Sequence, residues 1–241
     1  MQDLIAQFAH RDGPALLQPL IEKHFRNQIA LVSSFGTESV VLLHMVASID
    51  VTTPVIFVDT GKLFAETEDY RLKLERLFGL RDLRVAQPVP SEIAHNDPQG
   101  TLYRSNADLC CHIRKTEPLQ AALSGFSAWI SGRKRYHGGA RAQLPTMEVV
   151  DGQLKIDPLA HFDRQEIEDY ITAHELPRHP LFEAGYDSVG CIPCTARSND
   201  PQNPRAGRWA GQEKTECGIH WSANGTPIRL PVSAPLSPNG C

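Results

Sequence analysis

The sequence predicts an α/β fold: a parallel sheet with helices on both faces. Three observations predict it. Short apolar runs of strand length stand at residues 29–33, 54–58 and 80–85. Between them lie helical patterns of ten or more residues, at 38–48 and 64–78. Strand-helix-strand alternation at these lengths requires right-handed crossovers, which lay the strands parallel. At 241 residues and 41% hydrophobic, the chain is long enough for one substantial core and too short for two independent catalytic domains.

Residues 1–28 alternate apolar and polar positions at helical spacing, and Gly13-Pro14 divides them into two stretches that cover the core. Residues 29–33 read as a buried strand, 34–37 as a turn, and 38–48 as a helix apolar nearly all round. The strand at 54–58 ends at Asp59-Thr60-Gly61, and the helix at 64–78 is stopped by Gly79. A third strand follows at 80–85. Residues 87–108 hold three prolines and show no period, which predicts a long surface loop before a helix beginning near Cys110. Residues 127–131 supply a further strand. Asp151-Gly152, flanked by apolar residues over 147–156, marks a tight hairpin. Asp163 caps a helix running to about His174, with Glu166 completing a capping box. From Ser222 onward, four prolines among Ser, Gly and Asn predict a loosely held tail.

A formal charge of −4 argues against a nucleic-acid coat, although Arg133, Lys134 and Arg135 form a local basic triplet that reads either as a solvated loop or as cations gathered around a small anion. Residues 1–10 show no basic segment leading into a long apolar run, so neither a secretory signal nor a membrane span is visible and the expected compartment is the cytoplasm. There, six cysteines point to metal or redox chemistry instead of a disulfide framework.

Ligands of parallel sheets bind beyond the carboxyl ends of the strands, where 33–37 and 59–61 would sit. Ser33-Ser34-Phe35-Gly36-Thr37-Glu38-Ser39 joins an apolar strand to an apolar helix, so backbone N–H groups and the hydroxyls of Ser33, Ser34, Thr37 and Ser39 are available to an anion. The loop lacks the lysine of a Walker motif. Its competing reading is an ordinary turn capped by Thr37.

Cys110-Cys111 and Cys191-Ile192-Pro193-Cys194 form two pairs that suit a common centre. Four thiolates fit zinc or an iron-sulfur cluster, and the adjacent pair suits zinc less well, because zinc sites draw on spaced knuckles. Cys217, within Glu216-Cys217-Gly218-Ile219-His220, has no nearby cysteine and reads either as a tolerated surface residue or as a nucleophile. As a nucleophile it must become a thiolate, which Glu216 opposes and His220, Arg205 or Arg208 favours. Cys241 reads as a tolerated terminal residue. Arg114-Lys115 and Arg205-Ala206-Gly207-Arg208-Trp209 flank the cysteine motifs, so convergent cysteines bring convergent cations.

Taken in order, Ser33–Ser39, Val58-Asp59-Thr60-Gly61-Lys62-Leu63, Cys110-Cys111-His112-Ile113-Arg114-Lys115, Gly190-Cys191-Ile192-Pro193-Cys194-Thr195, the Arg205 to Trp209 run and the Cys217 segment resemble the adenylyl-sulfate and phosphoadenylyl-sulfate reductase family. The resemblance covers about residues 29 to 221. It implies an adenine-nucleotide α-hydrolase-like fold related to ATP pyrophosphatases. It further implies a [4Fe-4S] cluster on Cys110, Cys111, Cys191 and Cys194, with Cys217 as the catalytic nucleophile. Substrate contacts are expected from Ser33, Ser34, Thr37, Ser39, Asp59, Lys115, Arg141, Arg205, Arg208 and His220.

The implied organisation is a helical cover at 1–28, a nucleotide-binding catalytic domain at 29–209, and a mobile segment at 210–241 that carries the nucleophile. Two departures from the family pattern stand out. Phe35-Gly36 replaces a second serine, and Arg133 to Arg141 reads Arg-Lys-Arg-Tyr-His-Gly-Gly-Ala-Arg where relatives carry an Arg-Arg-Asp-Gln-Ser-like stretch, with Arg141 as the candidate substrate arginine.

The expected reaction converts adenosine 5′-phosphosulfate to sulfite and AMP through an S-sulfocysteine. Thioredoxin or a similar dithiol protein is the reductant, and the 3′-phosphorylated nucleotide is the alternative substrate. No nucleic acid or membrane is expected as a partner, and a homo-oligomer stays open. The rival readings are an ATP pyrophosphatase of the tRNA-thiolating kind, whose Ser-Gly-Gly-x-Asp-Ser loop is absent, and a non-catalytic metal-binding sensor.

Overall fold

The computed structural model describes residues 1–198, 200, 203–209, 214 and 216; Cys217, His220, Cys241 and the tail expected from Ser222 lie outside the described residues. Its elements are α1 (Gln2–Phe8), α2 (Gly13–Pro19), β1 (Ile29–Ser33), α3 (Ser39–Ile49), β2 (Val55–Val58), α4 (Ala65–Phe78), β3 (Leu83–Ala86), α5 (Pro90–Asn96), α6 (Leu102–Ser105), α7 (Ala107–Cys111), α8 (Glu117–Leu123), β4 (Ala128–Ile130), β5 (Met147–Val150), β6 (Gln153–Ile156), α9 (Arg164–Ala173) and α10 (Pro180–Glu183).

Strand alternation explains the layers. Ile29 and Leu31, Val55 and Phe57, and Ala128 and Ile130 share a core with residues of α2, α3, α4 and α9, whereas Ala30, Ile56 and Trp129 face Leu119 and Leu123 of α8. Both faces of the strands are therefore apolar, as a parallel sheet between two helical layers requires. Phe8, Leu16, Leu17 and Leu20 belong to the larger core, so the N-terminal helices are part of it.

The six strands run in the order β3-β2-β1-β4-β6-β5. All neighbours are parallel except β5 and β6. That antiparallel edge is the expected hairpin, turned by Asp151 (φ 49°) and Gly152 (φ 80°), a pair of positive φ angles that matches the strand twist. The capping box also forms: Asp163 Oδ1 accepts the Glu166 N–H at 2.8 Å and Glu166 Oε2 accepts the Asp163 N–H at 2.7 Å.

Two expectations change. The third strand starts at Leu83, because Leu80 is spent closing α4, its N–H reaching Glu75 O at 3.0 Å around left-handed Gly79. Residues 87–108 are not a structureless loop: Pro90 opens α5, and Asp97 Oδ1 accepts the Leu102 N–H at 2.9 Å where α6 begins. Helices of four to seven residues are too short to show a period. Between α7 and α8 the chain makes a wide turn over His112–Thr116, closed by the Glu117 N–H on His112 O, so the cysteine pair and Lys115 ride one continuous helical path. Among the described residues, no helix is long and apolar enough to cross a membrane.

Candidate active site

Strand order reverses between β1 and β4, because β2 and β3 lie to one side of β1 and β4 to the other. A crevice opens beyond the carboxyl ends of strands at such a point. The cavity found there is lined by the loop after β1, by Thr60 after β2 and by Ser131, Gly132 and Arg133 after β4. Lys115, Arg141, Arg205 and Arg208 complete its cationic wall.

The β1 loop is braced by its own hydroxyls. Ser33 Oγ accepts the Phe35 N–H at 3.2 Å, Ser39 Oγ accepts the Gly36 N–H at 2.9 Å, and Thr37 donates to Asp187 O at 2.7 Å. Phe35 takes a left-handed φ of 49° and buries its ring fully against Phe57. A non-glycine residue held there marks a loop whose shape is over-determined by its surroundings.

Glu38 follows the loop and is the hub of a buried network that the sequence does not reveal. It accepts Lys134 Nζ at 2.8 Å, the Tyr136 hydroxyl, and His137 Nε2 at 3.1 Å. Burial raises the Glu38 carboxyl, but Lys134 and His137 together hold it well below the ordinary range. Burial pushes His137 down to about 4, so at neutral pH it is uncharged, gives its Nε2–H to Glu38 and accepts Arg141 Nη1 on Nδ1 at 3.2 Å. Arg141 then grips Glu216 in bidentate fashion at 2.5 and 2.8 Å.

The basic triplet is internally engaged. Arg133 pairs with Asp157 at 2.6 Å and Glu148 at 2.8 Å, Lys134 with Glu38, and Arg135 donates to Leu144 O at 2.8 Å. Neither a solvated loop nor a free anion clamp describes it.

Cys110, Cys111, Cys191 and Cys194 are all buried. Asn106 caps α7 by accepting the Leu109 N–H, which sets Cys110 and Cys111 on the helix end. Pro193 opens a tight turn at Ile192–Cys194, anchored by the Ile192 N–H on Lys62 O at 2.8 Å. Thr60 Oγ1 lies 3.2 Å from Cys191 Sγ. Burial raises the Cys110 thiol; Arg114 opposes this, while Cys191 and Cys194 add to it. Both motifs touch the Thr60 turn, the first through Arg114 Nη1 on Thr60 O at 2.9 Å and the second through Cys191 Sγ beside Thr60 Oγ1. The Cys194 thiol is likewise raised by burial and by Cys191, against the pull of Lys115, Arg208 and Lys214.

Residues 203–209 fold back over the second cysteine motif: the Ala196 N–H meets Gly207 O at 2.8 Å and the Trp209 N–H meets Cys194 O at 3.1 Å. Two glycines permit this. A Cβ on Gly207 would lie 2.1 Å from Ala196 O, and one on Gly190 would lie 2.3 Å from Arg208 Nη2. Through this fold-back Arg205 and Arg208 reach the cavity, Arg208 lying 4.6 Å over the Trp209 ring.

Residues 28–197 match the model of the phosphoadenosine phosphosulfate reductase domain. The chain belongs to that family. The adenosine 5′-phosphosulfate reductase of Mesorhizobium japonicum is 47% identical over 219 residues, which cover 91% of this chain and 86% of the relative. The phosphoadenylyl-sulfate reductase of Candida auris, solved as a phosphate complex, aligns at a TM-score of 0.60 and 29% identity over 70% of this chain and 83% of that one. Yeast FAD synthetase, at 17% identity and a TM-score of 0.57 over 81% and 69%, shares the adenine-nucleotide α-hydrolase-like fold alone.

Of the substrate residues expected in this reductase-family chain, Ser33, Ser34, Thr37, Ser39, Lys115, Arg141, Arg205 and Arg208 line the one cavity. Asp59 does not; it shapes its turn by accepting the Gly61 N–H and the Gln87 amide, each at 2.9 Å. Sequence reasoning missed Glu38, His137 and the buried Asp97–Arg114 pair at 2.7 Å, in which Arg114 also donates to Thr60 O at 2.9 Å. Arg114 was visible as one cation of the motif, but its partner lies in a segment with no pattern. Among the described residues, no three His, Cys, Asp or Glu side chains gather around a point that a single metal ion could occupy.

Proposed function

We propose that this chain is an adenosine 5′-phosphosulfate reductase acting through Cys217, with residues 29–209 as the nucleotide-binding body. The observation that carries this reading is one cavity in which the β1 loop faces Lys115, Arg205 and Arg208, cations that also border the cysteine motifs. Such a cavity suits a small nucleotide bearing two linked anionic groups.

The donor set fits a [4Fe-4S] cluster. Cys110, Cys111, Cys191 and Cys194 are four buried thiols, and a cluster asks each thiolate to reach a different iron atom, so they need not meet at one point. The buried Trp209 Nε1–H has no acceptor among the described residues and packs with Cys191 and Cys194, where anionic sulfur is the missing acceptor. When bound, the cluster supplies structural cross-linking and a fixed charge beside the cationic wall.

The Cys217 thiolate attacks the sulfur of the phosphosulfate. A sulfur–sulfur bond forms, the bond from sulfur to the bridging phosphate oxygen breaks, and AMP leaves with the electron pair. Lys115, Arg141, Arg205 and Arg208 stabilise the charge that develops on the phosphate. A thiolate of an external dithiol protein, thioredoxin in our reading, then attacks Cys217 Sγ and expels sulfite. Its second thiol resolves the mixed disulfide, returning reduced Cys217 and an oxidised dithiol.

The test is anaerobic sulfite release with thioredoxin from adenosine 5′-phosphosulfate or its 3′-phosphorylated form at equal low concentration. Sulfite mainly from the first is expected, with no enzyme adduct in Cys217→Ser. Sulfite mainly from the second overturns the substrate, and an adduct in Cys217→Ser overturns the nucleophile.

A further inference from the structure

Two side chains described beyond residue 209 are tied to different elements around the site. Lys214 pairs with Asp108 on α7, the helix of Cys110 and Cys111. Glu216 pairs with Arg141 at 2.5 and 2.8 Å, and with Arg205 Nη2 at 3.4 Å.

The two ties differ in strength. Asp108 is 53% exposed, and an ion pair so open to water contributes little. Arg141 and Glu216 are only 9% and 20% exposed, and a bidentate arginine-carboxylate pair with that burial fixes both distance and orientation. Arg141 is itself held from behind by His137, which Glu38 holds in turn. Burial raises the Glu216 carboxyl, but Arg141, and then Arg205 and Arg133, bring it below its ordinary range, so it is an anion at neutral pH. Glu216 does not line the cavity, whereas Arg141 does. Its carboxylate takes the Nε–Nη2 edge of Arg141 and leaves one N–H on each Nη for another acceptor.

We propose that Glu216 is a positioning residue for the nucleophile: its carboxylate, docked on Arg141 and Arg205, fixes the backbone next to Cys217 against the cationic wall of the cavity. This rests on the reading of Cys217 as the nucleophile. Arg141 thereby serves the substrate with one edge and the attacking segment with another, and the Glu38–His137–Arg141–Glu216 chain links the β1 loop to residue 216 through four side chains.

The experiment compares cluster-loaded wild-type protein with Glu216→Gln, Glu216→Asp and Lys214→Gln. Formation of the S-sulfo adduct is followed by intact mass in a single turnover at saturating adenosine 5′-phosphosulfate without dithiol, and AMP affinity is measured separately. Glu216→Gln, which keeps the shape and loses the charge, is expected to slow adduct formation about tenfold or more while AMP affinity stays within about twofold. Glu216→Asp is expected to recover part of the rate, and Lys214→Gln to lose less than about threefold.

An unchanged rate in Glu216→Gln overturns the proposal. So does tighter AMP binding in that variant, which would make Glu216 a competitor of the substrate, or a loss of AMP binding equal to the loss of rate, which would make it a structural brace. If the wild-type protein forms no adduct, the functional reading itself fails, and that result is separate from any difference among the variants.

Discussion

The two ends of the cavity are built by different means. The β1 loop is a contiguous stretch whose shape comes largely from its own groups: Ser33 and Ser39 hold Phe35 and Gly36, and a single longer tie runs from Thr37 to Asp187. The cysteine end is assembled from four separate segments: the Thr60 turn, the Asp97–Lys115 stretch, the Cys191 turn and residues 203–209. The loop tolerates the loss of one bond because others constrain the same few residues. The cysteine end depends on close approaches between backbones, where one extra carbon leaves no room.

That difference sets the largest expected effect. In Gly207→Ala the new methyl meets the Ala196 carbonyl at 2.1 Å, a backbone atom that cannot turn aside. Residues 203–209 must then lift, taking Arg205, Arg208 and Trp209 with them. Sulfite release is expected to fall roughly 100-fold, as for a displacement of about 1 Å at a reacting centre. In Gly190→Ala the nearest atoms belong to the Arg208 guanidinium, the far end of a flexible side chain, so it should cost less. Measuring kcat/KM and iron content for both variants checks the ranking, and equal losses would break it.

The network joining the two ends carries a pH signature. His137 is held at about 4 against 6.5 unfolded, so between those values the unfolded chain binds the extra proton and stability falls as pH drops. Glu38, depressed below its ordinary range, acts in the same sense: its stabilisation is present above the unfolded value and is lost as pH falls through the folded one. His137→Asn is expected to flatten the acid side of the stability curve by about 3 kcal/mol between pH 6.5 and 4, read from denaturant melts. His179, also pushed by burial to about 4, stays in the variant and retains its own share of the slope. A profile identical to wild type would mean that His137 is not buried as a neutral donor.

These two regions also differ in how far the sequence discloses them. The order of the strands along the chain, the β1 loop and the capping box of α9 are readable because periodicity, turn chemistry and capping act over a few neighbouring residues. The burial of both cysteine pairs is foreshadowed by their motifs once the family resemblance is seen, and Lys115, Arg205 and Arg208, expected beside them, line the cavity. Glu38 is not readable: it looks like the first polar residue of an apolar helix, and its partners sit about 96 residues on, in a stretch whose basic composition suggests solvent. Glu216 appears in the sequence only as a charge unfavourable to the Cys217 thiolate. The structure shows that charge already paired with Arg141, which weakens the objection.

The smallest expected effect sharpens the comparison from the loop side. Ser39→Ala removes the acceptor of the Gly36 N–H and leaves the Phe35 brace and the Thr37 tie in place. Loss of one such hydrogen bond costs about 1 kcal/mol. With the loop still shaped by its remaining bonds, the variant should melt slightly earlier, lose no more than about fivefold in kcat/KM, and show the same iron content as the wild type. A loss comparable to Gly207→Ala would mean that the hydroxyl touches the substrate as well as the loop. Direct binding of AMP separates the two roles, because a merely bracing hydroxyl lowers stability and leaves AMP affinity nearly unchanged, whereas a hydroxyl that also touches the nucleotide lowers both.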